Sequence, residues 1–478
     1  MTDYNQYVSP FVERFATKQM LEIWSPQKKF STWRRCWLAL AEAEKELGLD
    51  ITDEQIEELR NHLDDIDFEK ARKYEEQTRH DVMAHILTLG DVAPKAKPII
   101  HLGATSCFVT DNTDLILSRE ALILVKKKII AVLKKLKDFS LKYKDLPTLG
   151  YTHFQPAQLV TVGKRACMWA QDLVMDLEQI DYLFSQIKCR GIKGATGTQA
   201  SFLTLFNGDH EKVKQLDKLV AKKIHFSESF PITGQTYTRK IDTQILQILA
   251  GIGESVHKFA TDIRLLQHEK EMEEPFEKTQ VGSSAMPYKR NPMRAERACS
   301  LARFIMGIPM YSEFTTAVQW MERTLDDSAI RRIIIPEAFL ATDGILNIYL
   351  NIMENPVVYS QVIAKHVREE LPFMATETLL MAGVKKGGDR QKLHEIIRKH
   401  AQAAGEQVKM EGKGNDLLER LANDPEFPLN EEEINTCLDE KKFIGRAPQQ
   451  VEEFIEKVID PILRRYADAE EISSSISV

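Results

Sequence analysis

Apolar residues in the middle of this chain recur every three or four positions over runs far longer than an average helix. From Asn112 to Tyr143 they fall at 115, 122, 125, 129, 132, 136 and 139, an alternation broken only by Ser118. That spacing lays a continuous seam along one side of a helix. Ile116, Leu117, Ile123, Leu124 and Ile130 add a second stripe, which predicts neighbours on more than one side. At 1.5 Å per residue such a helix extends on the order of 45–50 Å. A second long pattern runs from about Ala157 to Lys188. A third runs from Tyr237 to Lys270, with Ile241, Ile245, Ile248, Ile252, Val256, Phe259, Ile263 and Leu266 on one face. Two more start near Pro292, well suited to a first helical turn, and near Ser328.

The flanks of the chain are patterned differently. The first hundred residues read as short helices over 31–48, 53–63 and 66–76, the first capped by Ser31-Thr32. Another follows Thr78–Asp81. After Asn355-Pro356 the segments shorten again, with polar loops KKGGD at 385–389 and EGKGND at 411–416. A last helix over about 447–466 precedes a polar tail, EISSSISV, expected to be disordered. The prediction is an all-α chain of three helical domains, 1–106, 107–357 and 358–478. Its central bundle of five long helices carries more apolar surface than one bundle needs, so bundles of different subunits are expected to pack together.

Composition narrows the function classes. The chain has 478 residues, 43% hydrophobic and 28% charged, with few Gly (22) and Pro (18), which agrees with the helical reading. A net charge of −7 leaves no global nucleic-acid footprint. The lysines at 126–128 and 134–135 read as the wetter face of a helix. Six scattered cysteines without a CxxC pair argue against a zinc knuckle or a disulfide framework. No basic-then-apolar leader opens the sequence, and no uncharged apolar run approaches the roughly 20 residues of a membrane helix. The expectation is a cytoplasmic protein without a membrane partner.

Candidate chemistry sits in four polar islands at helix junctions. They are Thr78–Asp81, Gly103–Ser106, Gly150–Gln158 and the loop Gly282–Pro292, GSSAMPYKRNP. His80 lies between Arg79 and Asp81, where a neighbouring carboxylate can fix an imidazole tautomer; a helix-start cluster capped by Thr78 is the alternative. Thr105 and Ser106 open a long helix, suited either to an anion or to simple capping. His153 lies in a loop, and an imidazole is the side chain best suited to general acid or base work near neutral pH. Arg331-Arg332, with Arg323 and Ser328 nearby, suits a phosphate, unless the arginines pair with Glu322, Asp326 and Asp327. No P-loop, dinucleotide fingerprint or metal-ligand spacing is present, which points to acid/base work without cofactor or metal.

GSSAMPYKRNP resembles the signature loop of the fumarase/aspartase superfamily, and Tyr288-Lys289-Arg290 resembles its adenylosuccinate lyase branch. TRHDVMAH (78–85), HLGATS (101–106), YTHFQPAQ (151–158), VGKR (162–165) and GQTYTRK (234–240) match in the family's order. The resemblance implies a homotetramer whose active sites form where three subunits meet. It implies elimination of fumarate from succinylated nucleotides by a fumarate-releasing carbon–nitrogen lyase of purine biosynthesis. Carried over by position, Ser283 is the base, His153 the acid, and Lys289 and Asn291 hold the dicarboxylate. Thr105, Ser106, Thr152 and Gln235 complete that pocket. Arg14, Arg323, Ser328 and Arg332 match phosphate-holding positions, with Arg79, His80 and Asp81 nearby, and Arg297 is a further matched contact. Phe15 departs from the tyrosine expected after Arg14. The alternatives are a sister lyase acting on argininosuccinate or fumarate, for which phosphate-binding arginines are unnecessary, and a non-catalytic structural protein on the same scaffold.

Overall fold

The computed structural model describes residues 5–277, 280–281 and 284–467. Ser283, the predicted base, and the polar tail lie outside the described residues. At the N-terminal side, α1 (Pro26–Glu46) begins before the predicted Ser31-Thr32 cap. Ser25 Oγ accepts the Lys28 N–H at 3.1 Å, and Pro26 occupies the first turn. Ser31 and Thr32 are buried inside the helix beside Trp33 and Trp37. Three further helices follow: α2 (Asp53–Asn61) with a Thr52–Gln55 capping box, α3 (Phe68–Thr78) capped by Asp67, and α4 (Asp81–Val92).

The long-helix prediction holds. In α5 (Ser106–Lys142), all seven seam residues from Leu115 to Phe139 are buried. Of the second stripe, Leu117, Leu124 and Ile130 are buried and Ile123 is exposed. It is joined by α6 (Val162–Gln186), α7 (Lys240–His268), α8 (Met293–Gly307), α9 (Pro309–Ala317) and α10 (Asp327–Glu354). The fourth long pattern is thus divided, with Pro309 in the first turn of the second piece. α10 is apolar and long enough to cross a membrane by length and composition, but 83% of its most apolar window is buried in the protein.

The second pattern departs from prediction in one place. Residues expected to begin a helix near 157 form instead a hairpin of β1 (Pro147–Thr152) and β2 (Gln155–Thr161), and the helix starts at Val162. His153 and Phe154 make the turn with φ of 52° and 56°. Two successive left-handed residues match the twist of paired strands. The first four residues of β2 are exposed, so no alternation marks this strand in the sequence.

The direction of the helices organises everything else. α5, α7 and α10 all start at one end of the bundle, which we call the head, where Arg239 bonds both Asp111 and Asp327. They finish at the other end, the tail. There β3 (Met272–Glu273) pairs with β4 (Val357–Val358), and Thr148 of the hairpin donates to Glu271. The main core continues through α11 (Ser360–Met374), and Ile444, Val451, Ile455 and Ile459 of the last helical run join it. A second core built on Leu379, Leu393, Leu417, Phe427 and Ile434 lies within 375–434.

One charge predicted as wet is not. Lys128 is buried, with Nζ 2.5 Å from Asp343 Oδ1, while Asp343 Oδ2 accepts the Thr17 N–H at 2.7 Å. The lysine faces α10 rather than solvent, and a charge buried there needs its counter-charge.

Candidate active site

The head gathers most of the predicted polar residues. His80, not Thr78, caps α4: its Nδ1 accepts the Met83 N–H at 3.3 Å, while Thr78 Oγ1 donates back to the Tyr74 carbonyl. An accepting Nδ1 leaves the neutral ring's proton on Nε2, which stands 3.4 Å from Ser106 Oγ. Arg79 closes α3 in the left-handed region with φ 53°. Asp81 lies 3.4 Å from Arg332. Thr105 stands at the N-cap of α5 without a side-chain capping bond. The first amides of α5 therefore get no help from Thr105, and their positive end suits an anion.

Gln235 and Arg323 join this group through the backbone. Gly234 allows the approach, since a Cβ there would meet the Glu322 carbonyl at 2.6 Å, and the Gln235 N–H donates to that carbonyl at 2.9 Å. Beneath them, Arg190 is fully buried and donates to the carbonyls of Gln235, Gly191 and Gly194 at 2.9, 3.1 and 2.7 Å. The Cys107 thiol donates to Gln235 Oε1 at 3.7 Å, and burial pushes it up to about 11, so it stays a thiol.

The arginines of the predicted basic pair have separate fates. Arg331 is buried, with Nε donating to Asp242 at 2.6 Å, Nη2 to the Tyr237 hydroxyl at 2.6 Å and Nη1 3.0 Å from Asp114. Arg332, next in sequence, is exposed. Arg323 gives Nη1 to both oxygens of Asp327 at 2.9 Å. The pairing of Arg323 with Asp327 is the alternative the sequence offered; what it did not show is the largely buried network behind it, Asp111, Arg239, Asp242 and Arg331 with half-buried Asp114. Its partners lie as far apart in sequence as Asp114 and Arg331, and beyond the basic pair itself GQTYTRK, which contains Tyr237 and Arg239, marked the region. His101 was also missed. Its Nδ1 accepts the Trp37 indole N–H at 2.9 Å, and burial pushes it down to about 4. It is therefore a neutral ring beside the head cluster.

The tail holds a different set. Thr152 and His153 sit at the exposed hairpin tip, above a cleft of about 640 Å³ lined by Tyr151, Phe154, Lys164, Arg165, Asp262 and Glu269 among others. Burial pushes the Tyr151 hydroxyl up, and nearby Glu271 adds to it. The loop before α8 is tied at its end by Arg290, which lies 3.3 Å from Glu273, stacks over Phe276 at 4.9 Å and accepts from Gln267 through its carbonyl at 3.1 Å. Lys289 is exposed and Asn291 half-buried on either side of it.

Arg14, Phe15 and Arg297 form a third station along the bundle. The Phe15 carbonyl lies where a Cβ on Gly344 would be 2.9 Å away, midway along α10. Arg297 lies over the Phe15 ring at 5.8 Å, and burial followed by the Arg14 charge pushes its guanidinium down.

These stations cannot meet in one chain. Ser106 opens α5 and the hairpin begins just past its end, so its 37 residues hold head and tail about 55 Å apart. The chemistry available is divided between the two ends: a cation- and amide-rich head suited to an anion, and a tail carrying an imidazole and the lysine loop.

Residues 3–307 match a family model described as lyase, and 372–454 one described as adenylosuccinate lyase C-terminus. Adenylosuccinate lyase of Schizosaccharomyces pombe is 54% identical over 97% of this chain and 97% of its own length. The Saccharomyces cerevisiae and Schistosoma mansoni adenylosuccinate lyases are 51% and 48% identical over 100% of both chains. Among solved structures, a fumarate lyase from Mesorhizobium sp. BNC1 superposes with a TM-score of 0.79, at 22% identity, over 95% of this chain and 100% of its own. A 3-carboxy-cis,cis-muconate lactonizing enzyme from Pseudomonas putida gives 0.80 at 22%, over 93% and 98%. At that identity the likeness is one of fold.

Proposed function

The chain belongs to the adenylosuccinate lyase family, and we propose that it eliminates fumarate from adenylosuccinate, leaving AMP, and from succinyl-aminoimidazole-carboxamide ribotide, leaving the free carboxamide. In this reading Ser283 takes a proton from the carbon beside a carboxylate. The electrons of that C–H bond become the new C=C bond of fumarate, the C–N bond breaks, and His153 protonates the departing nitrogen. A serine hydroxyl is a weak base in water, so it needs a dry site with Lys289 beside it. Lys289 and Asn291 hold the dicarboxylate, and Thr105, Ser106, Thr152 and Gln235 complete its pocket. Arg14, Arg323, Ser328 and Arg332 take the phosphate, with Arg79, His80 and Asp81 beside it. Arg297 lines the Arg14 side.

One observation carries the shared-site part of this reading: the anion-binding head and the imidazole-bearing tail are held apart by the length of α5. A homotetramer with helices of neighbouring chains packed antiparallel brings a head to a tail. Exposed apolar side chains support such packing. Ile232, Trp320, Met321 and Leu325 stand near the head loop, Phe154, Val281, Met286 and Tyr288 at the tail, and Met168, Met175 and Tyr182 along α6. Six free thiols fit a reducing, cytoplasmic setting. The test is fumarate release from purified protein given adenylosuccinate or, separately, argininosuccinate. Release from adenylosuccinate is expected, and release from argininosuccinate alone overturns the assignment.

A further inference from the structure

Arg323 is held in an unusual way for an arginine meant to meet an anion. It gives a single nitrogen, Nη1, to both oxygens of Asp327, and its Nε and Nη2 make no bond among the described residues. Its side chain remains 22% exposed while that of Asp327 is fully buried. The carboxylate is itself fixed from behind: Asp327 Oδ2 accepts from Arg239 Nε at 2.6 Å. Arg239 in turn grips Asp111 through two nitrogens at 3.1 and 3.2 Å, and the Tyr237 N–H donates to Asp111 at 2.9 Å. The chain Asp111–Arg239–Asp327–Arg323 therefore runs from the first turns of α5 to the rim of the head.

We propose that Asp327 is a positioning residue for the phosphorylated end of the substrate, fixing Arg323 by one nitrogen so that the other edge of its guanidinium stays open. Attraction cannot be its role. A carboxylate next to a phosphate repels it, and two arginines against two aspartates leave this chain of groups neutral. What Asp327 supplies is orientation. Arginine binds phosphate through a planar fork, and Arg323 is carried by a loop whose neighbours Trp320, Met321 and Leu325 are exposed. Bound at Nη1, the fork loses its freedom to swing but keeps Nε and Nη2 as donors.

The inference rests on the reading of Arg323 as a phosphate contact, and electrostatics and orientation predict opposite signs. Asp327→Asn removes a negative charge, so if charge governs binding, KM for adenylosuccinate falls. If orientation governs, KM rises about tenfold, which is about 1.4 kcal/mol. Inhibition by inorganic phosphate then weakens to a similar degree, while kcat and the inhibition constant of fumarate stay within about twofold. An unchanged or lower KM, or a fall in kcat alone, overturns the proposal. Arg323→Lys keeps the charge and loses the fork at a partly exposed position. An unchanged KM there overturns the proposal even if Asp327→Asn does not fold. In the Arg323→Lys background Asp327→Asn should add little, and fully additive losses contradict action through Arg323. Arg323→Ala separates the two failures. If it leaves KM and phosphate inhibition intact, the phosphate reading of Arg323 fails; if it weakens both while Asp327→Asn does not, only the positioning role fails.

Discussion

The head and the tail of the bundle solve the problem of holding polar groups in opposite ways. At the head, Arg239, Arg331, Asp111, Asp242 and Asp327 are buried and close on one another. The side chains at the rim are set by what lies beneath them. At the tail, Thr152 and His153 project from a hairpin whose outer half is exposed, and Lys289 is exposed as well. The polar groups of the head are fixed from within the chain, whereas those of the tail are open to solvent, and in the proposed reading a second chain covers them. Preorganised groups can wait for a ligand, but an acid and a base that work in a dry site cannot be exposed in the working assembly.

Substitutions at the two ends should therefore separate activity from stability. The largest effect is expected at the tail. His153→Gln should lower turnover of both substrates by about 10²–10⁴-fold. The same change should shift unfolding stability by less than about 0.5 kcal/mol, because the side chain is exposed. Equal loss in stability and activity would erase the contrast. At the head the order reverses. Arg331→Met leaves Asp242 without its counter-charge in the interior, removes the partner of half-buried Asp114 as well, and should cost about 3–5 kcal/mol in urea unfolding.

The reasons these features were or were not legible differ residue by residue. The seam of α5 was readable because its period repeats over many turns, and local spacing suffices to fix a helix face. The hairpin was not, because a strand exposed on both faces has no reason to alternate. Lys128 and Arg331 were misread for another reason. A charge in a helical pattern looks solvated unless its counter-charge is known, and Asp343 and Asp242 lie 215 and 89 residues away. The polar islands were recognisable one by one. Their division between head and tail emerged only once α5, α7 and α10 were found to run the same way.

A smaller effect tests the buried character of the head. The His85 ring stacks on Phe30 at 3.7 Å, and burial, then the Arg34 charge, pushes it down to about 4. An unfolded imidazole takes its proton near 6.5, so between about 6.5 and 4 the unfolded chain binds a proton that the folded one refuses. Stability present above pH 6.5 is lost as pH falls, by about 1–3 kcal/mol. His85→Phe should flatten that part of the melting-temperature profile, and an unchanged slope would remove His85 as its source. The smallest effect is expected between the two ends. Phe15→Tyr can restore one hydrogen bond of about 1 kcal/mol net, so KM should change by about fivefold or less.

The central claim is that one working site draws on the head of one chain and the tail of another. Arg323→Ala weakens a head and His153→Gln disables a tail, and with adenylosuccinate well below KM neither variant should be active alone at more than a small fraction of the starting enzyme. Mixed after reversible dissociation, with hybrid tetramers confirmed by differential tags, they should recover activity. About a quarter of the sites would combine an intact head with an intact tail in randomly assembled tetramers. Activity that stays at the sum of the two separate variants, in verified hybrids, would place both residues in a site of a single chain and contradict the account.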